Sequence, residues 1–449
     1  MLISKKNKMK NIFISVLGSL VLFSCSVDLD QSPEDRPTVD NVEGFESVLF
    51  QAYNYQKDVV NQQMYFGVFR SDNGDTDANG TGGEVPWEYF DVFDDNIQDN
   101  SEIIIQPFYD ANYFCILSSN IVINGSDDTA LVAEAKFLRA LSYFKLVQTF
   151  GAVSINTSSV VGFIGNESAF VRQSVDDVYD LIVSDLQDAI SGLGASIEDG
   201  RPSSYSASAL LGKVYMTNGN EALAESYLED VINSGEFELQ ASYSDIFTEE
   251  LNSEIIFSIQ FGDGDSTPEQ FTDVYNGGFD KILSPVEEDL INAYETGDTR
   301  LDDSINDGDT AKTCIKYDSS NNEDNDWVEL RYADVILLYA EAALINGSLT
   351  DAEVLDLLDD IRTRAGLAVL DEADYADSDE VLQAIKDERR VELAFEGHRW
   401  YDLVRWGDAA DTMTALGETL DDSNYLLFPI PDSEVSATNG IIEQNPGYN

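Results

Sequence analysis

The chain has 449 residues, 43% hydrophobic and 11% aromatic, enough to bury a sizeable core in two or three lobes. Against 25 basic residues stand 85 acidic ones, a formal charge of -60, and so negative a surface repels phosphate backbones and excludes nucleic acid as a partner. The acids run along the whole chain rather than filling one tail, which fits either a solvated coat for salty surroundings or simple solubility.

The start is basic, with Lys5, Lys6, Lys8 and Lys10, then apolar from Ile12 to Phe23, and it ends in Leu22-Phe-Ser-Cys25. This is the pattern of a secretory signal over residues 1–24 with a small residue before a cysteine, as in a bacterial lipobox. Cleavage there leaves Cys25 as the lipidation site, so the membrane is met through a lipid anchor, and 21 basic residues then face the 85 acidic ones. The apolar run is short for a membrane span, and nothing later reaches twenty apolar residues. An uncleaved anchor is the alternative. Residues 25–40 form a polar, proline-bearing tether.

From Asn41 to Lys57 the residues Val42, Phe45, Val48, Leu49, Ala52 and Tyr53 recur at helical spacing. A loop rich in Gly and Asp follows, from Arg70 to Gly83, and leads into Val85-Pro-Trp-Glu-Tyr-Phe90. Loops of that length are often functional. Ile103–Ile123 and Thr129–Phe150 read as an antiparallel helical pair around Asn124-Gly125-Ser126, and a further helix spans Val175–Leu193. Cys115 lies in the apolar run Tyr113–Leu117 and reads as a small buried residue.

Leu211-Gly212, Tyr215, Gly219, Ala224 and Leu228 then fall at tetratricopeptide offsets, with Val231 where a small residue is usual; Tyr339-Ala340, Gly347 and Ala352 repeat them weakly. Between these repeats, residues 234–328 change character. Glu254–Phe261 reads as a short strand. Loops heavy in Gly, Asp, Asn and aromatics surround Tyr275, Phe279 and Trp327, and Cys314 lies in a strand-like segment. Three cysteines and one histidine make neither a disulfide framework nor a zinc site. The fold class expected is mostly α: tetratricopeptide-like hairpins forming a scaffold, with loop-rich insertions and a few short strands.

The most telling stretch is Ile385–Gly407, read as one helix. Glu388, Glu392 and Glu396 share a column, Arg389, Arg390, Arg399 and Arg405 lie within reach, and Phe395, Trp400 and Trp406 supply aromatic surface. An Arg/Glu lattice of this kind is a packing device rather than a catalytic one, and His398 within it reads as a hydrogen-bonded structural residue. After Gly407 the tail reads as loop, with Pro429 and Pro431 forbidding a continuous helix.

The pattern E-R-R-x-E-L-x-x-E-G-x-R-W-x-D-L-x-R-W, present here from Glu388 to Trp406, resembles the signature of the SusD/RagB family of Bacteroidetes nutrient-binding lipoproteins. Arg331–Ala342 and the ending Pro429-Ile-Pro431, Glu434 and Gln444–Tyr448 resemble further family blocks in the family's order. Acids just after Cys25 (Ser26-Val-Asp-Leu-Asp30) resemble the surface-export signal of such lipoproteins. The resemblance implies an N-terminal SusD-like helical region at 41–233, a loop-rich ligand-binding insertion at 234–328 and a C-terminal SusD/RagB region at 329–449. It further implies a lipoprotein exposed at the outer membrane, bound to an oligosaccharide or polysaccharide and seated on a SusC-like TonB-dependent transporter.

Sugars are held by aromatic rings stacked on pyranose faces and by carboxylates and amides on hydroxyls. On that ground Asp72, Asn73, Asp75, Trp87, Tyr89 and Phe90 in the first loop, with Tyr275, Phe279, Asn325 and Trp327 in the insertion, are the candidate carbohydrate-binding residues. Asp75-x-Asp77-x-Asn79-Gly80 opens like a calcium loop, but its twelfth position is Pro86, so calcium is the minor option and no other cofactor is expected. No G-x-S-x-G, HExxH or P-loop appears. The expected function is glycan capture without catalysis; a peptide-importing RagB-like protein and a surface glycoside hydrolase are the alternatives.

Overall fold

The computed structural model describes residues 44–74, 89–90, 93–99, 101–160, 167–197, 200–262, 266–276, 286–307, 312–317, 325–418, 420 and 423–448. Its longer helices are α1 (Phe45–Met64), α2 (Gln106–Gly125), α3 (Thr129–Phe150), α4 (Val175–Gly192), α5 (Ser204–Thr217), α6 (Glu221–Ser234), α7 (Tyr332–Asn346), α8 (Asp351–Arg364), α9 (Ser378–Glu392) and α10 (Arg399–Trp406). Each from α1 to α8 packs on the next in sequence, and α9 closes against α7 and α8. The molecule is mostly α, a stack of helical hairpins, as expected.

Local chemistry explains the helix ends. Asp128 accepts from the Ala130 and Leu131 N–H groups at the start of α3, and Ser203/Ser206 and Thr350/Glu353 form reciprocal capping boxes before α5 and α8. Helix α3 is buried on nearly every side, the mark of a central element. In the repeat, a Cβ on Gly212 would sit 2.6 Å from Leu228 Cγ. The missing side chain is what lets α5 and α6 approach.

Strands are short and pair in twos: β1 (Val153–Ser154) with β2 (Arg172–Gln173), β3 (Ile255–Ile259) with β6 (Trp327–Arg331), and β4 (Ile305–Asp307) with β5 (Lys312–Cys314), all antiparallel. β3 and β6 are buried on both faces. Cys115 is buried, as expected, and Cys314 lies in a strand, as expected, and is buried too.

Two expectations need correction. The stretch from Ile385 to Gly407 is two helices: α9 stops at Glu392, Phe395 and Gly397 take φ of 66° and 79°, and α10 starts at Arg399. The stop is made by side chains that bind the freed carbonyls. Tyr294 Oη donates to Val391 O (3.4 Å), Tyr243 Oη and Arg331 both to Glu392 O (2.7 Å each), Lys316 Nζ to Ala394 O (2.6 Å), and Tyr275 Oη to Phe395 O (2.9 Å). The tail after Gly407 is not wholly loop either, since Ala409–Leu416 and Asp432–Ala437 are short helices, the second starting directly after Pro431.

Candidate functional site

The described residues chosen from the sequence as glycan contacts lie mostly in the interior. Trp327 and Phe90 have 0% exposure: Trp327 meets Phe271 edge-on at 5.1 Å, and Phe90 packs among Tyr65, Phe66 and Phe428. Tyr275 is a buried cap on Phe395 O, stacked on Tyr317. Asn325 donates to Thr272 Oγ1 at 3.0 Å, and Tyr89 is half-buried against the core. Of these rings, Tyr275 serves a carbonyl freed at the break after α9 and Trp327 packs against Gly397 in the same turn. Asp75, Trp87, Phe279 and the rest of the calcium-like motif, Asp77 and Asn79, lie outside the described residues, as does Cys25. Among the described residues no cluster of three or more His, Cys, Asp or Glu is placed to hold a metal ion.

Asp72 and Asn73 also turn inward. Arg399 forks onto the Asp72 carboxylate (2.7 and 2.8 Å), while Arg390 reaches Asp72 Oδ2 (3.0 Å), Asp72 O (2.8 Å) and Asn73 Oδ1 (2.9 Å). Burial pushes the Asp72 carboxyl up, but Arg399 and Arg390 bring it below the usual range. Asn73 O accepts from the Glu287 N–H at 3.3 Å. Two arginines of the signature thus pin residues 72–73 beside residue 287.

The remaining signature charges form a buried lattice. Glu392 receives Arg300, Arg331 and Arg364; Glu396 receives Arg331 and Lys316; Glu388 receives Arg300 and Arg362. Burial would raise the Glu392 carboxyl, yet Arg364, Arg331 and Arg300 hold it well below the ordinary carboxylate range. Such a lattice is strongly destabilised by loss of one partner. Nearby, a chamber of about 40 Å³ is lined by Gln63, Lys145, Lys213, His398 and Tyr401. Lys213 Nζ lies 2.9 Å from His398 Nδ1, and burial together with Lys213 pushes the imidazole down to about 4.

Two grooves are large enough for a ligand. One of about 340 Å³ is walled by the carboxylates of Glu295, Asp298, Asp374, Glu380, Asp387 and Glu388, with Arg300, Arg362 and Tyr375. The other, about 440 Å³, lies between α1, Gly200-Arg201 and the end of β3, and is lined by Phe50, Tyr53, Asn54, Lys57, Arg201, Gln260 and Phe261 among others. Phe50 is 51% exposed, a flat ring open to solvent. Helical spacing makes this wall, since positions 50, 53, 54 and 57 share one face of α1. Arg201 donates Nε to both Glu134 oxygens (2.9 and 3.0 Å), Tyr53 Oη donates to the same carboxylate, and the guanidinium lies 5.8 Å from the Phe50 ring. Burial and Glu134 drive the Tyr53 phenol well above its ordinary value. Lys57 Nζ stands 5.4 Å from the Phe261 ring. Beneath Phe261, Asp326 accepts from its N–H (3.0 Å) and from Ser258 Oγ (3.4 Å), and burial pushes the carboxyl up to about 7.

Rings, two amides and cations therefore meet in an open groove on the first helix. Sequence reasoning assigned Tyr53 to the apolar stripe and passed over Phe50, Asn54 and Lys57. The signal was there: an exposed aromatic seven residues before a lysine on one helical face.

A model of the SusD family matches residues 310–448, and one described as "Starch-binding associating with outer membrane" matches residues 28–216. The chain belongs to the SusD/RagB family. SusD-like protein P38 of Formosa agariphila is 27% identical over 98% of this chain and 100% of its own. Among solved SusD-type structures, a laminarin binding SusD-like protein superposes with a TM-score of 0.72 at 26% identity, over 90% of this chain and 99% of that one. Surface glycan-binding protein A from Bacteroides fluxus gives 0.74 at 24% identity, over 91% and 100%. The SusD-type hairpin stack is thus this chain's fold. Its signature residues, from Glu388 to Trp406, serve here as lattice, helix stop and anchor.

Proposed function

We propose that the chain is a surface glycan-binding lipoprotein that captures oligosaccharides without cleaving them and passes them to a SusC-like TonB-dependent transporter of the outer membrane. The observation that carries this reading is the 440 Å³ groove, where Phe50 offers a stacking face and Asn54 and Gln260 offer amides for hydroxyls. Support comes from relatives named for laminarin and surface-glycan binding and from a matching family model described as associating with the outer membrane. The lattice fits a non-catalytic role, because its carboxylates are occupied by arginines and lysines. In this reading a lipid on Cys25 tethers the body to the outer face of the membrane, where it sits as a lid on the pore.

Calorimetry against a glycan panel tests the binding, with Phe50→Ala expected to weaken affinity about tenfold by removing the stacking face. Retention of peptides alone would reject the glycan reading, and release of reducing ends would reject the absence of catalysis. Pull-down of the native lipoprotein in mild detergent should bring a large β-barrel protein with it.

A further inference from the structure

We infer that the chamber at His398 is a water-binding site, in which about two or three buried waters bridge Gln63 to His398 and to the ammonium groups of Lys145 and Lys213. The inference starts from an acceptor left over. Gln63 is only 8% exposed and lines the chamber, and among the described residues nothing donates to its Oε1. A buried carbonyl oxygen without a donor is costly, so the fold has to place one within reach.

The donors on the same walls follow from one contact. Lys213 Nζ lies 2.9 Å from His398 Nδ1, and because an ammonium can only donate, Nδ1 accepts and the neutral ring carries its proton on Nε2. Among the described residues nothing accepts from that Nε2–H. Lys213 gives a second N–H to Asp334 Oδ2 (3.1 Å), and Lys145 gives two to Glu329 Oε2 (2.9 Å) and Gln56 Oε1 (3.3 Å). Each ammonium keeps a third N–H. The lysines and the histidine thus have donors to spare, while Gln63 lacks one. Water accepts from the first and donates to the second, which neither a halide nor a metal ion can do.

Size and charge point to the same occupant. One water needs about 10–15 Å³ and a drug-sized ligand about 300 Å³ or more, so a chamber of about 40 Å³ admits a few waters and no sugar. Its charges are already answered: Lys145 by Glu329, Lys213 by Asp334, Arg389 by Asp334 and Asp402, Arg405 by Glu341 and Asp402. No excess of either sign calls for an ion. Gln148, Lys213, Thr217 and Tyr401 line the chamber and are half-buried, which gives water a way in. The waters join the end of α1 to α5 and to the turn before α10, where Gly397 stands against Gln63.

The test is a high-resolution crystal structure of the mature chain, with and without a sodium bromide soak. A water should lie within about 3.2 Å of Gln63 Oε1, and the same water or one bonded to it should reach His398 Nε2. A dry chamber, or a protein donor on Oε1, would overturn the inference, and an anomalous bromide peak there would replace it with an anion site. Because the chain has a single histidine, a 15N-histidine label reports on His398 alone in solution. Its spectrum near neutral pH should be that of the Nε2–H tautomer, and the Nδ1–H form would overturn the bridge by removing its donor. Gln63→Met keeps the length of the side chain without the acceptor, so it should lose the water at Oε1 and keep the tautomer. Unchanged waters in that variant would remove Gln63 from the site, and if it fails to fold the wild-type structure and spectrum still decide.

Discussion

A Cβ on Gly67 would lie 2.2 Å from the Gly397 carbonyl oxygen, backbone against backbone, where the turn after α9 crosses the π-helical turn Tyr65–Phe69. Neither side can yield as a flexible side chain could, so Gly67→Ala should cost about 1–3 kcal/mol, read as a lower urea midpoint at unchanged slope. Two other residues make a pH prediction with opposing signs. His398 is held neutral down to about 4, so as pH falls from 6.5 towards 4 the unfolded chain takes up a proton that the folded chain refuses, and stability is lost. Asp326 keeps its proton up to about 7, so over the same window it favours the folded state, and that stability is lost as pH rises through 7. The two contributions offset each other between about pH 4 and 6.5. Asp326→Asn should therefore steepen the loss of stability on acidification, and His398→Gln should lessen or reverse it, measured by urea titrations across that range. Unchanged pH slopes in both variants would refute the assignment. His398 as a hydrogen-bonded residue was legible from its place among charges. The elevated Asp326 was not, because its burial depends on Ser258 and Phe261, far away in the chain.

At the scale of elements, the end of α9 is where reading the sequence went furthest astray. Periodicity carries through Glu388, Glu392 and Glu396 without a break, and Gly397 alone does not stop a helix. The stop comes from tyrosines, a lysine and an arginine at positions 243, 275, 294, 316 and 331, a condition no local pattern expresses. The same long-range demand explains why Tyr275, which caps Phe395 O, read as a binding residue when it is an interior one; Trp327 is interior because it packs on Phe271, Tyr317 and the turn at Gly397. Repeats fared better, since Gly212 and Leu228 meet within one hairpin and local spacing records the contact. Tyr275→Phe should leave Phe395 O with only the longer Tyr317 bond of 3.4 Å and lower stability by about 1 kcal/mol. Glycan affinity should stay within twofold of wild type, roughly 0.4 kcal/mol by the usual conversion. A large loss of affinity without loss of stability would restore Tyr275 to the binding surface.

Across the whole molecule the charges divide into two populations that respond differently to salt. The lattice of Arg300, Arg331, Arg364 and Lys316 with Glu388, Glu392 and Glu396 is buried, and its attractions are little screened. The net excess of sixty acids lies over the surface, where the compact state holds like charges closer together than the unfolded chain does. Raising the salt concentration from about 0.01 M to about 1 M shortens the Debye length from about 30 Å to about 3 Å, which removes the repulsion and spares the lattice. Folding should therefore be strengthened by sodium chloride over that range. In thermal unfolding of the mature chain the midpoint should climb steeply at first and level off once the screening length falls below the spacing of surface carboxylates. A midpoint that falls with salt would mean that exposed ion pairs, rather than repulsion, dominate the surface. Glu392→Gln should lower the midpoint at every salt concentration by a similar amount, because the charge it removes is shared among three buried guanidiniums.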